Sequence, residues 1–85
     1  MSIPKQQKNL FTDKQGQYLV FIYQYTKLNG VPPAHTDMQK YFEVTPPSVN
    51  QMINTLEKKG LIQKIPRTAR SISLLIPPEK LPALK

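Results

Sequence analysis

Cysteine and tryptophan are absent from this 85-residue chain, and histidine occurs once. Without cysteine there are no disulfides and no thiolate metal ligands, and an intracellular address is unopposed. The single histidine, His35, has no second imidazole with which to share a metal. The five acidic residues are scattered with no close carboxylate pair, and the three glycines form no phosphate-cradling loop. Nothing therefore motivates an enzyme, and no cofactor is expected. No apolar run approaches membrane-spanning length, and the N-terminal MSIPKQQKN lacks the apolar core of a signal peptide. The expectation is a cytoplasmic, nucleoid-associated protein that does not engage a membrane. No internal repeat is visible.

What the chain has is positive charge. A formal net charge of +7 on 85 residues points to a polyanionic partner, most simply nucleic acid. The plainer alternative is that the charge serves only solubility. The length fits one small domain with a marginal core, to which a homodimer would add stability.

One stretch organises the rest. Thr45 to Lys59, TPPSVNQMINTLEKK, reads as an amphipathic helix closed by Gly60. Val49, Met52, Ile53 and Leu56 fall at i, i+3, i+4 and i+7, a single buried stripe. Ser48, Asn50, Gln51 and Asn54 face the other way, and no charged residue occurs between Glu43 and Glu57. Amides and hydroxyls donate and accept, as the edges of DNA bases require, so this is a candidate recognition helix. Thr45 suits the N-cap and Pro46 the first helical position, unless Pro47 forces Pro46 outside the helix. Either way the prolines remove up to two N–H groups that a helix start offers phosphate. Lys58 and Lys59 complement the negative helix end. Gly60 takes the left-handed position beyond it, which brings Leu56 to Leu61.

Upstream, residues 1–9 form a basic arm with Lys5 and Lys8, read either as a phosphate contact or as a frayed terminus. A first helix is expected over about 12–29, started by a Thr12–Gln15 capping box and Asp13, and stopped by Gly30 and Pro32. Its apolar face is Tyr18, Leu19, Phe21, Ile22, Tyr25 and Leu28; Tyr23 lies off the stripe, and Gly16 weakens the first turn without evident reason. Pro32-Pro33 then turns into a short helix over about 35–42, with Met38, Tyr41 and Phe42 as core candidates.

Downstream, 61–76 reads as a β-hairpin, with Ile72, Leu74 and Ile76 alternating with serines. Its turn, 66–70, is basic at both shoulders, and five positive residues and no acidic one lie between Lys58 and Arg70. Residues 77–85, PPEKLPALK, form a proline-rich tail in which Leu81 and Leu84 either bind a partner or pack back on the domain.

These parts make a mainly α chain with a small hairpin: three helices and a two- or three-stranded wing over 10–76. The sequence resembles the N-terminal DNA-binding domain of LexA-type repressors. The matching residues are Phe11-Thr12-x-x-Gln15, Tyr18-Leu19-x-Phe21-Ile22, Asn29-Gly30-x-Pro32-Pro33 and Ser48-Val49. They continue through Leu56-Glu57-x-Lys59-Gly60-Leu61-Ile62 and Pro66-x-x-x-Arg70-x-Ile72. The resemblance implies a winged helix-turn-helix, with helix 45–59 in the major groove and wing 62–75 on backbone or minor groove. Carried onto this chain, base reading falls to Thr45, Pro47, Ser48, Asn50 and Gln51, and the outer-face Asn54 joins them. Lys58, Lys59, Lys64, Arg67 and Arg70 form the phosphate-holding set.

Two departures stand out. The family's usual glycine between the second and third helices is replaced around Phe42 and Glu43, and the wing lacks its usual glycine near Arg67 and Thr68. LexA repressors also carry a C-terminal latent protease domain that cleaves itself and dimerises. The sequence stops before any such domain, so a stand-alone domain is expected, released from DNA by a partner, a ligand or turnover.

The leading function is thus a sequence-specific double-stranded DNA-binding regulator, a repressor acting as a dimer. The alternative is a winged-helix docking module for a regulatory protein partner. Operator, regulated genes and oligomeric state are not written in the sequence.

Overall fold

The computed structural model describes residues 10–84. The arm expected at 1–9 lies outside them.

Helix α1 (Asp13–Asn29) begins where the reciprocal cap predicts. The Thr12 N–H donates to Gln15 Oε1 at 3.0 Å, and the Gln15 N–H donates to Thr12 Oγ1 at 3.2 Å, so two helix-start donors are satisfied. It ends at Gly30, whose φ of 79° places it in the left-handed region and whose N–H reaches the Thr26 carbonyl.

Helix α2 (His35–Phe42) follows the double-proline turn. The Ala34 N–H donates to Asp37 Oδ2 at 2.8 Å, a carboxylate holding the positive end of the helix. Its left-handed terminator is Glu43, at φ 55°. The position where a glycine was missed in the sequence is therefore still a left-handed one, filled by a residue with a Cβ.

Helix α3 (Pro46–Lys58) takes both prolines inside its first turn, with Thr45 extended before it. Thr45 does not cap in the expected way. The N2 amide is a proline, and the Ser48 N–H goes to the Thr45 carbonyl, so the Thr45 hydroxyl pairs with the Ser48 hydroxyl at 3.0 Å. At the far end Gly60 has φ 77°, the Leu61 N–H donates to the Leu56 carbonyl and the Gly60 N–H to Glu57, both at 3.0 Å. These two bonds are a Schellman closure, and both leucines are buried, as the sequence predicts.

The hairpin is shorter than expected. Only β1 (Ile62–Gln63) and β2 (Ser73–Leu74) pair, antiparallel, with Ile62 opposite Leu74 and Gln63 opposite Ser73. Beyond them a side chain replaces the ladder: Ser71 Oγ accepts from the Ile65 N–H and lies within hydrogen-bond reach of the Ile65 and Thr68 carbonyls. The missing wing glycine has the same outcome as at Glu43, since Arg67 and Arg70 sit at φ 61° and 54°.

The core joins the three helices to the wing: Tyr18, Leu19 and Ile22 from α1, Met38 from α2, Val49, Ile53 and Leu56 from α3, and Ile62 and Ile72 beside them. Met52 is half-buried at its edge. Tyr18 stacks on Phe42 with ring centroids 4.0 Å apart, and burial raises the Tyr18 phenol above its ordinary pKa. Two apolar assignments fail: Leu28 is 80% exposed, and Tyr41 is 43% exposed while stacking on Phe21. Leu28 lies in the last turn of α1.

Residues 77–84 lie back on α1. A 3-10 turn, Pro78–Lys80, leads Leu81 and Leu84 onto the core, and Gln17 Nε2 donates to the Ala83 carbonyl at 3.0 Å. This docking explains Gly16. A Cβ there would stand 2.9 Å from Phe11 Cε1 and 3.0 Å from Pro82 Cγ, so the helix gives up propensity for a close approach.

Candidate nucleic-acid interface

Helix α3 separates cleanly into two sides. Val49, Ile53 and Leu56 are fully buried, while Thr45, Pro47, Ser48, Asn50, Gln51 and Asn54 are all exposed. Helical geometry sets Pro47, Asn50 and Asn54 in one line along the outer side and Ser48, Gln51 and Thr55 in the next. Thr55 was overlooked in the sequence. It is exposed, with its hydroxyl donating to the Gln51 carbonyl at 2.9 Å. The result is a neutral strip of hydroxyls and amides on a helix whose position is set by its buried stripe.

One member of that strip is already held. His35 Nδ1, at the first position of α2, lies 2.8 Å from Asn50 Oδ1. With the amide oxygen toward the ring, Nδ1 carries the proton and donates; with the amide turned over, the other tautomer accepts from the Asn50 N–H, so the contact is a hydrogen bond in either arrangement. The partner lies 15 residues away in the next helix, and no local pattern in the sequence announces it.

The basic residues divide in the same way. Lys58 and Arg67 are exposed and Lys64 half-buried, and none of the three has an ion pair or side-chain hydrogen bond among the described residues. Lys59 Nζ instead donates to Gln15 Oε1 at 2.8 Å and approaches the Leu10 carbonyl at 3.4 Å, tying the end of α3 to the start of α1. Arg70 is the most engaged. Its Nη1 lies 3.0 Å from Asp37 Oδ2, 3.1 Å from the Tyr25 hydroxyl and 3.3 Å from the Pro32 carbonyl. The wing is thereby pinned to the turn between α1 and α2.

Asp37 is the hub of that clamp. Its carboxyl is held below the usual carboxylate value, chiefly by the Ala34 N–H bond, with the Arg70 charge and hydrogen bonds from Tyr25 and Arg70 adding to it against some desolvation. Between the clamp and the loop tip runs an open groove of about 310 Å³, floored by Pro33, Ala34 and Ile72 and flanked by Lys64, Arg67 and Arg70. No cluster of acidic or histidine side chains able to hold a metal occurs among the described residues. No helix among them is long and apolar enough to cross a membrane.

Three helices, the third with a polar outer side, and a two-stranded hairpin with a basic loop define a winged helix-turn-helix protein. The LexA DNA-binding domain model matches residues 8–71, and the chain belongs to that family. It is similar to the LexA repressor of Thermosipho africanus, 41% identical over 68 residues, covering 80% of this chain and 34% of that protein. The LexA repressor of Thermosipho melanesiensis is 42% identical over 64 residues, 75% of this chain and 32% of its own length. That of Bartonella quintana is 36% identical over 73 residues, 85% and 31% respectively. The chain thus spans about a third of the length of these relatives.

Proposed function

We propose that this domain is a transcriptional repressor module that binds a specific double-stranded DNA site, with α3 in the major groove and the wing along the backbone or minor groove. The observation that carries the reading is the uncharged outer side of α3 beside Lys58, Lys64 and Arg67, cations with no ion pair among the described residues. At about 1.5 Å per residue, the 13-residue helix is about 20 Å long, enough to lie in a major groove about 12 Å wide. Thr45, Ser48, Asn50, Gln51 and Asn54 supply donors and acceptors for base edges, and Pro47 an apolar contact for a thymine methyl. Lys58, Lys64 and Arg67 offer their whole charge to phosphates. Lys59 and Arg70 have donors to spare beyond their internal bonds, so they contribute to the same surface while holding its shape.

The two prolines leave α3 without its first two amide donors, so the grip on phosphate falls mainly to the Lys58–Arg70 block. Acting as a two-fold dimer, the domain reads a palindrome whose half-sites are about one or two helical turns apart. Selection of bound duplexes from a random library tests the proposal, with the size of the complex measured alongside. A motif with two-fold symmetry supports it. High affinity with no motif removes sequence specificity, and no duplex binding at low salt, with a protein partner recovered, favours a docking module instead.

A further inference from the structure

We infer that His35 is a positioning residue for base recognition: its bond to Asn50 holds that amide in place on the outer side of α3, ready for a base edge. This rests on the reading of α3 as the base-reading helix.

Asparagine carries two donors on nitrogen and an acceptor oxygen, and a half-turn about its last torsion exchanges them. An exposed asparagine samples both arrangements, because water satisfies each equally. Asn50 is exposed, yet its side chain is tethered, because its Oδ1 lies 2.8 Å from Nδ1 of the His35 ring. Turning the amide over keeps a bond, since the other ring tautomer accepts from the amide N–H, so the tether fixes the side chain's place while the tautomer follows the amide. In either arrangement one N–H and one oxygen lone pair stay open on the outer edge of the amide. That pair is what is needed to donate to N7 and accept from N6 of an adenine in one plane.

The ring itself is held. His35 is the first residue of α2, half-buried, and the turn before it is fixed by the bond from Ala34 to Asp37 and by two prolines. The positioning bond thus runs from one helix of the helix-turn-helix to the other. It couples the amide's position to the packing of α2 on α3. Other outer-face side chains lack such a support: the Ser48 hydroxyl pairs only with Thr45 on its own helix start, and Gln51 and Asn54 have no side-chain bond among the described residues.

The pre-set position makes a distinct forecast. Fixing one side chain in advance saves an ordering cost that corresponds to about two- to tenfold in binding. His35→Ala should therefore reduce base preference by about two- to tenfold at one base pair only, the one that Asn50 faces. Columns read by Ser48 or Gln51 should not change. In His35→Asn the amide nitrogen stands close to where Nδ1 stood, so this variant should restore much of the lost preference. Asn50→Ala should erase preference in the same column, and His35→Ala added to it should change nothing further there.

Duplex selection with quantitative counting, run on the wild type, the three single variants and the double variant, reads all of these outcomes. Circular dichroism melting confirms that each variant is folded. Loss confined to the Asn50 column, with rescue by His35→Asn, supports the inference. A wild-type motif whose columns are unaltered by His35→Ala overturns it alone, even if affinity falls uniformly, since a uniform fall is the mark of a phosphate contact. A wild type that selects no motif overturns it together with the reading on which it rests.

Discussion

Replacing Asp37 separates the two tasks that one carboxylate performs. Its Oδ2 accepts the Ala34 N–H at 2.8 Å and faces Arg70 Nη1 at 3.0 Å. Asp37→Ala removes a charge-assisted bond to a part-buried amide, together with the favourable charge at the start of α2. The first costs about 1–1.5 kcal/mol and the second about 0.5 kcal/mol, giving roughly 1.5–2 kcal/mol in all. The pair with Arg70 lies at the surface, with side chains 42% and 25% exposed, so screening leaves it a minor addition. For a domain of this size each kcal/mol moves Tm by about 4–8 °C, so Asp37→Ala should melt roughly 6–16 °C lower. Asp37→Asn keeps an acceptor for Ala34 and loses only the charge, and should melt only a few degrees lower, about a third of that loss. The pH dependence has a definite sign. The folded-state pKa is depressed, so the contribution is complete above the ordinary value near 4 and is lost as pH falls below it. Far-UV circular dichroism melts at neutral pH and at about pH 3 measure both effects, and the gap between wild type and Asp37→Ala should narrow in acid. A gap under about 0.5 kcal/mol at neutral pH, or one that does not narrow, refutes the reasoning.

Glu43, in the left-handed region at φ 55°, should be improved by glycine: Glu43→Gly gains about 1 kcal/mol, seen as a higher urea midpoint at unchanged slope. Arg67→Gly should move stability and function in opposite directions. It relieves φ 61° by a similar amount but weakens binding to all duplexes and lowers the salt slope by about 1, as salt titration of affinity will show. Gly16→Ala gains about 1 kcal/mol of helix propensity but overpacks Phe11 and Pro82 at a cost of about 1–3 kcal/mol, so a net loss is expected. Faster amide exchange at Leu81 should accompany it; a net gain would show that the tail yields freely. Leu56→Ala, at a fully buried position, should cost about 2–5 kcal/mol in urea unfolding.

The sequence by itself determined where the helices begin and end, which side of α3 is buried, and the family of the chain. Capping boxes, glycine terminators and a 3.6-residue stripe act between residues three to seven apart, so Thr12–Gln15, Gly30, Gly60 and Val49–Leu56 could be read without knowing the path of the chain. Periodicity is a weaker guide at an element's end: it assigned Leu28 to the core, though it is exposed, and extended strands past the two residues that pair. Only the tertiary structure decided how the charged and polar residues are employed. Gln17 and Ala83 are 66 residues apart, Arg70 and Asp37 33, and His35 and Asn50 15. Side chains that distant meet only after hydrophobic packing has fixed the angles between elements, and a hydrogen bond tolerates errors of a few tenths of an ångström. That is why Gly16 had no rationale in the sequence, why Arg70 looked like one more surface cation, and why the neutral strip on α3 could be recognised while the residue bonded to one of its amides could not.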